Sequence, residues 1–164
     1  MSYEELLAYL SSIDFWLMFQ NNAKDLFIYV AEDIETPQQI NPGEKREVLN
    51  KQEVGKLDAV SFTTTSKKLK IIIEVDDKKI IGTPEELYNA GLIGYNQNTF
   101  WLSVYDDEST PNRFVMWFTP ARPKEYYGHF KVTIINEDSK PAFWSGSIYR
   151  YKLKDEYARY FLGV

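Results

Sequence analysis

Few side chains in this sequence are equipped for catalysis. There is a single histidine, His129, and no cysteine. That excludes a thiol nucleophile, a disulfide scaffold and any zinc or iron–sulfur site built from cysteine. A serine hydrolase would need His129 as its base, yet no Gly-x-Ser-x-Gly elbow is present. Ser145-Gly146-Ser147 lies instead in an alternating run that reads as a strand. The 8 glycines are scattered, so none forms a phosphate-cradling loop. Carboxylates gather at Asp76-Asp77, Asp106-Asp107-Glu108 and Glu137-Asp138. A glycosidase needs two carboxyls about 5–10 Å apart across a cleft. Each of these groups falls at a turn, where aspartate is favoured for bonding nearby backbone. Calcium would use such loop oxygens, but no spaced calcium loop is present. The expectation is a protein that is not an enzyme, with no metal and no cofactor.

The aromatic residues say more. There are 4 Trp, 12 Tyr and 10 Phe, 16% of the chain. If Asp106–Asn112 is a hairpin loop, symmetric pairing sets Trp101 opposite Trp117 and Tyr105 opposite Arg113. Phe100, Leu102 and Val104 then share a core face with Phe114, Met116 and Phe118. The other face carries Trp101, Tyr105, Arg113, Val115 and Trp117. A ribbon apolar on both sides must bury its second face against a helix of its own chain, another subunit or a stacked sugar ring. Residues 142–153 alternate in the same way. Phe143, Tyr149, Tyr151 and Leu153 face one side, and Trp144, Ile148, Arg150 and Lys152 the other. Gly146 marks a bulge or a close backbone approach. Because Trp and Tyr tolerate half-wet surfaces, the expected interaction patch is Trp101, Tyr105, Arg113, Val115, Trp117 and Trp144.

The elements that position these residues are mostly strands. Leu69, Ile71, Ile73 and Val75 alternate with Lys70, Ile72 and Glu74, and Asp76-Asp77-Lys78-Lys79 is a polar tip, so 69–81 reads as a hairpin. Thr83, Pro84, Glu86 and Gly91 mark the cap, first position, capping box and stop of one short helix. Further strands are expected at Thr99–Tyr105, Arg113–Thr119, Tyr127–Asn136 and Ala142–Leu153, separated by turns rich in Pro, Asp, Asn and Ser. The N-terminus reads as a helix. Ser2 with Glu5 makes a capping box, and Leu6, Leu7, Leu10 and Ile13 share one apolar face. A strand follows at Asp25–Val30. The polar stretch 37–43, holding Pro37, Pro42 and Gly43, reads as a linker between an N-terminal segment (1–36) and a main domain (44–164). The whole implies a mainly β protein, an antiparallel β-sandwich of jelly-roll-like or other Greek-key topology, with an N-terminal helix and one short inserted helix.

Charge narrows the partners. Residues 1–44 hold eight acids and one base, a net −7, while the total is −5. No basic stripe is available to a nucleic-acid backbone. The longest apolar run, Phe15–Phe19, is too short to cross a membrane, and the acidic start argues against a signal peptide.

Residues 43–82 contain Gly43-Glu-Lys-Arg-Glu-Val-Leu, then Gly55-Lys-Leu-Asp-Ala-Val-Ser-Phe, then Leu69-Lys-Ile-Ile-Ile-Glu-Val-Asp-Asp-Lys-Lys-Ile. This run resembles a pattern in structural proteins of phage and archaeal-virus particles: a charged strand, a Gly-Lys strand and an Ile-x-Ile-Asp-Gly-Lys hairpin. Asp77 stands where that hairpin carries glycine. The resemblance implies a β-sandwich of a virion shell, tail or appendage and carries no catalytic residues. The expected partners are other copies of the chain or another structural protein, with self-association through aromatic strand faces and the N-terminal arm. The alternative is a carbohydrate-binding module that stacks sugars on Trp and Tyr, with Asn96, Gln97 and Asn98 nearby.

Overall fold

A computed structural model describes residues 2, 4, 26–93, 103–106, 113–120 and 122–157. Its strands are β1 (Phe27–Ile40), β2 (Lys45–Gln52), β3 (Gly55–Thr64), β4 (Leu69–Val75), β5 (Lys78–Gly82), β6 (Ser103–Asp106), β7 (Phe114–Phe118), β8 (Lys124–Tyr126), β9 (His129–Asn136) and β10 (Ala142–Leu153). A short helix, α1 (Pro84–Asn89), follows β5. Two antiparallel sheets pack face to face as a β-sandwich. The first has the order β1-β10-β3-β7-β6, with β8 also on β3; the second runs β2-β9-β4-β5. The pairs β1·β10, β2·β9, β3·β7 and β4·β5 nest one inside the next, which is jelly-roll-like winding.

The period of two builds the core. In β4 the residues Leu69, Ile71, Ile73 and Val75 are buried and the intervening ones are not. Facing them from the first sheet are Val60, Phe62, Phe114, Met116, Phe118, Trp144 and Ile148. Leu87 of α1 packs into the same cluster. That helix starts where its cap residues predict: Thr83 Oγ1 accepts from Glu86 N at 3.1 Å, and Glu86 Oε2 accepts from Thr83 N at 3.0 Å. Gly91 stops it with φ +74°.

Polar ties close both ends of the sandwich. At one end Asn136 is fully buried, and its Nδ2 donates to the carbonyls of Ile40 (3.1 Å) and Lys140 (2.9 Å). Asp138 N donates to Asn136 Oδ1, and Ser66 donates to the Asp138 carboxylate at 2.6 Å. The chain reversals after β1, β3 and β9 are thereby joined. At the other end Asp76 turns the β4–β5 hairpin with φ +54°. Its carboxylate accepts from Tyr127 N (2.8 Å), Gly128 N (3.0 Å) and His129 N (3.0 Å). The left-handed position of this turn is therefore Asp76, and Asp77 needs no glycine.

Three expectations change. The stretch read as a linker is strand and turn: Gln38, Gln39 and Ile40 pair with Trp144, Phe143 and Ala142. Pro37 is accommodated because the register skips between Ile34 and Gln38 on an edge strand, where a missing N–H breaks no ladder. The β6–β7 register is offset by two residues from loop symmetry, so Ser103 faces Trp117 and Tyr105 faces Val115. An even offset preserves faces, and Val104, Phe114, Met116 and Phe118 are all buried. Finally, part of the separator 120–126 is strand β8. The N-terminal helix, with Leu6, Leu7, Leu10 and Ile13, lies outside the described residues, as do Phe100, Trp101 and Leu102.

Gly146 is a point of close approach in the core. A Cβ there would sit 2.6 Å from Phe62 Cε1, in a ring that stacks on Trp144 at 5.7 Å. Gly146→Ala is expected to destabilise the protein by about 1–3 kcal/mol, the usual penalty of overpacking. A urea unfolding curve with unchanged midpoint would contradict this packing.

Candidate interaction face

The two sheets turn very different surfaces outward. On the four-stranded sheet a charge ladder crosses all four strands. Lys131 Nζ lies 3.4 Å from Glu47 and 3.8 Å from Glu74, and Lys79 Nζ lies 3.1 Å from Glu74. Burial alone would raise the Glu74 pKa, but Lys79 and Lys131 outweigh it and hold the carboxyl below its usual range. Opposite charges alternating in this way make a water-facing surface.

The outer face of the six-stranded sheet is aromatic and hydroxyl-bearing. Tyr29 of β1 pairs with Tyr151 of β10, their rings 4.8 Å apart, and stacks on Tyr149 at 6.3 Å. The Tyr29 hydroxyl donates to Asp58 Oδ2 at 3.1 Å. Asp58 reaches that position because it is the extra residue of a bulge, between Ala59 opposite Tyr149 and Leu57 opposite Arg150. Desolvation first, then the Asp58 bond and charge, push the Tyr29 pKa up to about 12. Across the sheet run two rows of small residues. Ser147 pairs with Ser61, which pairs with Trp117; Ser145 pairs with Thr63, which pairs with Val115. Ser147 also donates to Asp33. Phe143 is exposed beyond these rows.

The expected patch is therefore split. Val115 and Trp117 are half-buried on this outer face. Tyr105 joins the same row through its backbone register opposite Val115. Arg113 is exposed just before β7 and outside the ladder. Trp144 does not belong to the patch. It is buried in the core against Phe62, because the Trp144–Ile148–Arg150 side of β10 faces inward. Trp101 lies outside the described residues. Tyr29 and Asp58 were missed. The short apolar run of 25–30 does not tell which of its faces is outward, and bulges leave no clear mark in sequence.

Arg150 can face inward because it is neutralised there. Its Nε donates to Glu53 Oε1 at 2.6 Å, and the same oxygen accepts from the Tyr126 hydroxyl at 2.7 Å. Arg150 and Glu53 are only 2% and 4% exposed. Burial followed by the Glu53 charge drives the Tyr126 pKa far up, so it stays a donor. Glu32 Oε1 lies 3.5 Å from Arg150 Nη1.

Three of the candidate carboxylates are engaged in holding the fold. Asp76 is committed to three backbone N–H groups, Asp138 to Ser66, and Glu137 to Lys70 at 2.5 Å. Among the described residues no three His, Asp or Glu side chains converge to hold a metal ion. A cavity of about 80 Å³ opens between β1 and β2, lined by Glu32, Ile34, Leu49, Phe62, Gly146 and Ile148 among others. That volume suits a few water molecules and is too small for a sugar ring. No helix among the described residues is long and apolar enough to cross a membrane. Comparison with protein-family models finds no match to the chain, and comparison with curated proteins finds none either.

Two outcomes follow from these interactions. Glu53→Ala leaves a buried guanidinium without its carboxylate and is expected to destabilise by about 3–5 kcal/mol in equilibrium unfolding. A loss below about 1 kcal/mol would mean that the network is not holding the fold. Tyr29 stabilises the native state through its neutral form. The native state keeps that proton while the unfolded state loses it above its ordinary pKa of 10.0, so stability falls from pH 10 to about 12. Ultraviolet titration of Tyr29→Phe should lack one phenol step near pH 12; an unchanged curve contradicts the assignment.

Proposed function

We propose that this protein is a non-enzymatic assembly component, which joins copies of itself or another structural protein through the outer face of its six-stranded sheet. The observation that carries the reading is the asymmetry of the two faces. One is laced by Glu47, Lys131, Glu74 and Lys79, with the pair Ile72–Ile81 at its β5 side, while the other carries exposed Tyr29 and Phe143 and half-buried Tyr149, Tyr151, Val115 and Trp117. Both faces belong to one rigid sandwich, so the difference has no origin in folding: either face could have been made polar. Aromatic side chains on an outer sheet face of this kind suit contact with a partner. The resemblance of residues 43–82 to virion proteins suggests the setting, a shell, tail or appendage assembled from many copies.

A carbohydrate-binding role is the second reading. It is favoured by one observation, the serine and threonine floor (Ser61, Thr63, Ser145, Ser147) between Tyr149 and Trp117. Hydroxyls between aromatic walls suit a sugar ring.

Absolute mass by light scattering at low micromolar concentration separates these readings. The assembly reading expects a defined oligomer, with the double variant Phe143→Ser/Tyr149→Ser shifted towards monomer and Lys131→Ser unchanged. A monomer in every form sinks it. Quenching of tryptophan fluorescence by a glycan in that monomer, lost in Trp117→Ala, would establish the second reading instead.

A further inference from the structure

We infer that Tyr29, Tyr149, Tyr151 and Asp58 form a cation-recognition site on the outer face of the six-stranded sheet, whose occupant is an arginine side chain of a partner protein. This deepens the assembly reading above. The partner rests on that reading; the site does not. It is built across the long strand β10, for Tyr29 belongs to β1 and Asp58 to β3, the strands on either side. The Tyr29 hydroxyl donates to Asp58 Oδ2 at 3.1 Å, so the Tyr29 side chain spans β10. The Tyr151 ring lies 4.8 Å from its own and the Tyr149 ring 6.3 Å. Tyr29 is 51% exposed, while Tyr149, Tyr151 and Asp58 are half-buried. Access is kept because both cross-strand neighbours of Tyr149 are alanines, Ala31 and Ala59. The adjoining Phe27, Lys56 and Leu153 are buried and take no part.

Charge selects the occupant. Elsewhere the fold matches its acids with bases: Glu53 with Arg150, Glu137 with Lys70, Glu47 and Glu74 with Lys131. No Lys or Arg among the described residues pairs with Asp58. Lys56, two residues away, is directed elsewhere, its Nζ 5.5 Å from the centre of the Phe27 ring and 4.0 Å from Glu125. Asp33, exposed on the same face, accepts from Ser147 and has no basic partner among the described residues either. Tyrosine rings present the negative side of their quadrupole to a cation, so rings and carboxylate attract the same charge. A partner that covered this face with apolar groups alone would strand the Asp58 carboxylate away from water, which is costly. A partner that brings a cation avoids that cost. Arginine fits better than lysine, because a planar guanidinium stacks on a tyrosine ring while its fork donates to the oxygen that Tyr29 leaves free.

The test uses the full chain and N-acetyl-arginine methylamide as probe, with the citrulline analogue as its uncharged isostere. In a nuclear magnetic resonance titration the arginine probe should shift the signals of Tyr29, Asp58, Tyr149 and Tyr151 saturably, and the citrulline analogue should not. Asp58→Asn keeps an acceptor for the Tyr29 hydroxyl and should raise the probe's dissociation constant about fivefold. Tyr149→Leu keeps apolar bulk but loses the ring, and should raise it about twofold to fivefold. Glu47→Gln, on the charge ladder of the other sheet, should leave it unchanged. Equal shifts with the citrulline analogue, or an unchanged constant in Asp58→Asn, overturn the site. Tetramethylammonium bound more tightly than the arginine probe overturns the choice of arginine. Light scattering then separates the two proposals. An oligomer that neither binds the probe nor responds to Asp58→Asn overturns the site and leaves the assembly reading standing. A monomer that binds the probe keeps the site and overturns the assembly reading.

Discussion

One carboxylate oxygen, Glu53 Oε1, accepts hydrogen bonds from Arg150 and from Tyr126 inside the sandwich. Glu53 occupies the corner where the chain leaves β2 in one sheet and enters β3 in the other. Arg150 belongs to the long strand β10, and Tyr126 ends β8 just before the chain crosses back to β9. Two crossings and the long strand β10 of the larger sheet are therefore pinned at one atom. Glu53 N donates to the Gly128 carbonyl at 3.1 Å, which ties the crossings along the backbone as well. Taking both charges out of water is unfavourable, and their mutual attraction only roughly offsets it. The gain is specificity: any arrangement that separates Glu53 from Arg150 buries a bare charge.

The opposite end relies on neutral groups. Asn136 bonds the carbonyls of Ile40 and Lys140, while the backbone N–H groups of Gly43 and Asn136 bond Asn136 and Glu44 across the turn. With both ends tied, the sheets are fixed relative to one another by interior contacts alone. Nothing in the fold then dictates what the two outer faces carry, and they have diverged into a charge ladder and an aromatic sheet. A sandwich scaffold of this kind hosts many functions, so the divergence of its surfaces is the stronger guide.

Local chemistry was legible in the sequence, and long-range pairing was not. The capping box of Thr83 and Glu86, the 69–81 hairpin and the span 142–153 are encoded by neighbours a few residues apart, and each is where its pattern places it. The core face of β7 was also readable, because alternation survives an even register offset. The failures share a cause. Pro37 and its polar neighbours look like a linker until β10, over a hundred residues away, supplies the pairing. Trp144 is expected in the patch because tryptophan tolerates a half-wet surface. Its side of the strand faces inward even though it carries Arg150, whose charge is met there by Glu53, 97 residues away. The outer cluster of Tyr29, Asp58 and Tyr151 likewise depends on a bulge and on three separate strands.

Energetics limit what the proposed aromatic face can do alone. An aromatic patch of about 300 Å² on each copy, buried at about 25 cal/mol per Å², is worth about 15 kcal/mol. Lost translational and rotational freedom opposes association by about 4–15 kcal/mol, before side-chain ordering. A face of that size is marginal alone, and it is non-directional, because stacked aromatic surfaces slide with little penalty. Tyr29 adds a fixed point to that face, because it stacks on Tyr149 and its hydroxyl bonds Asp58.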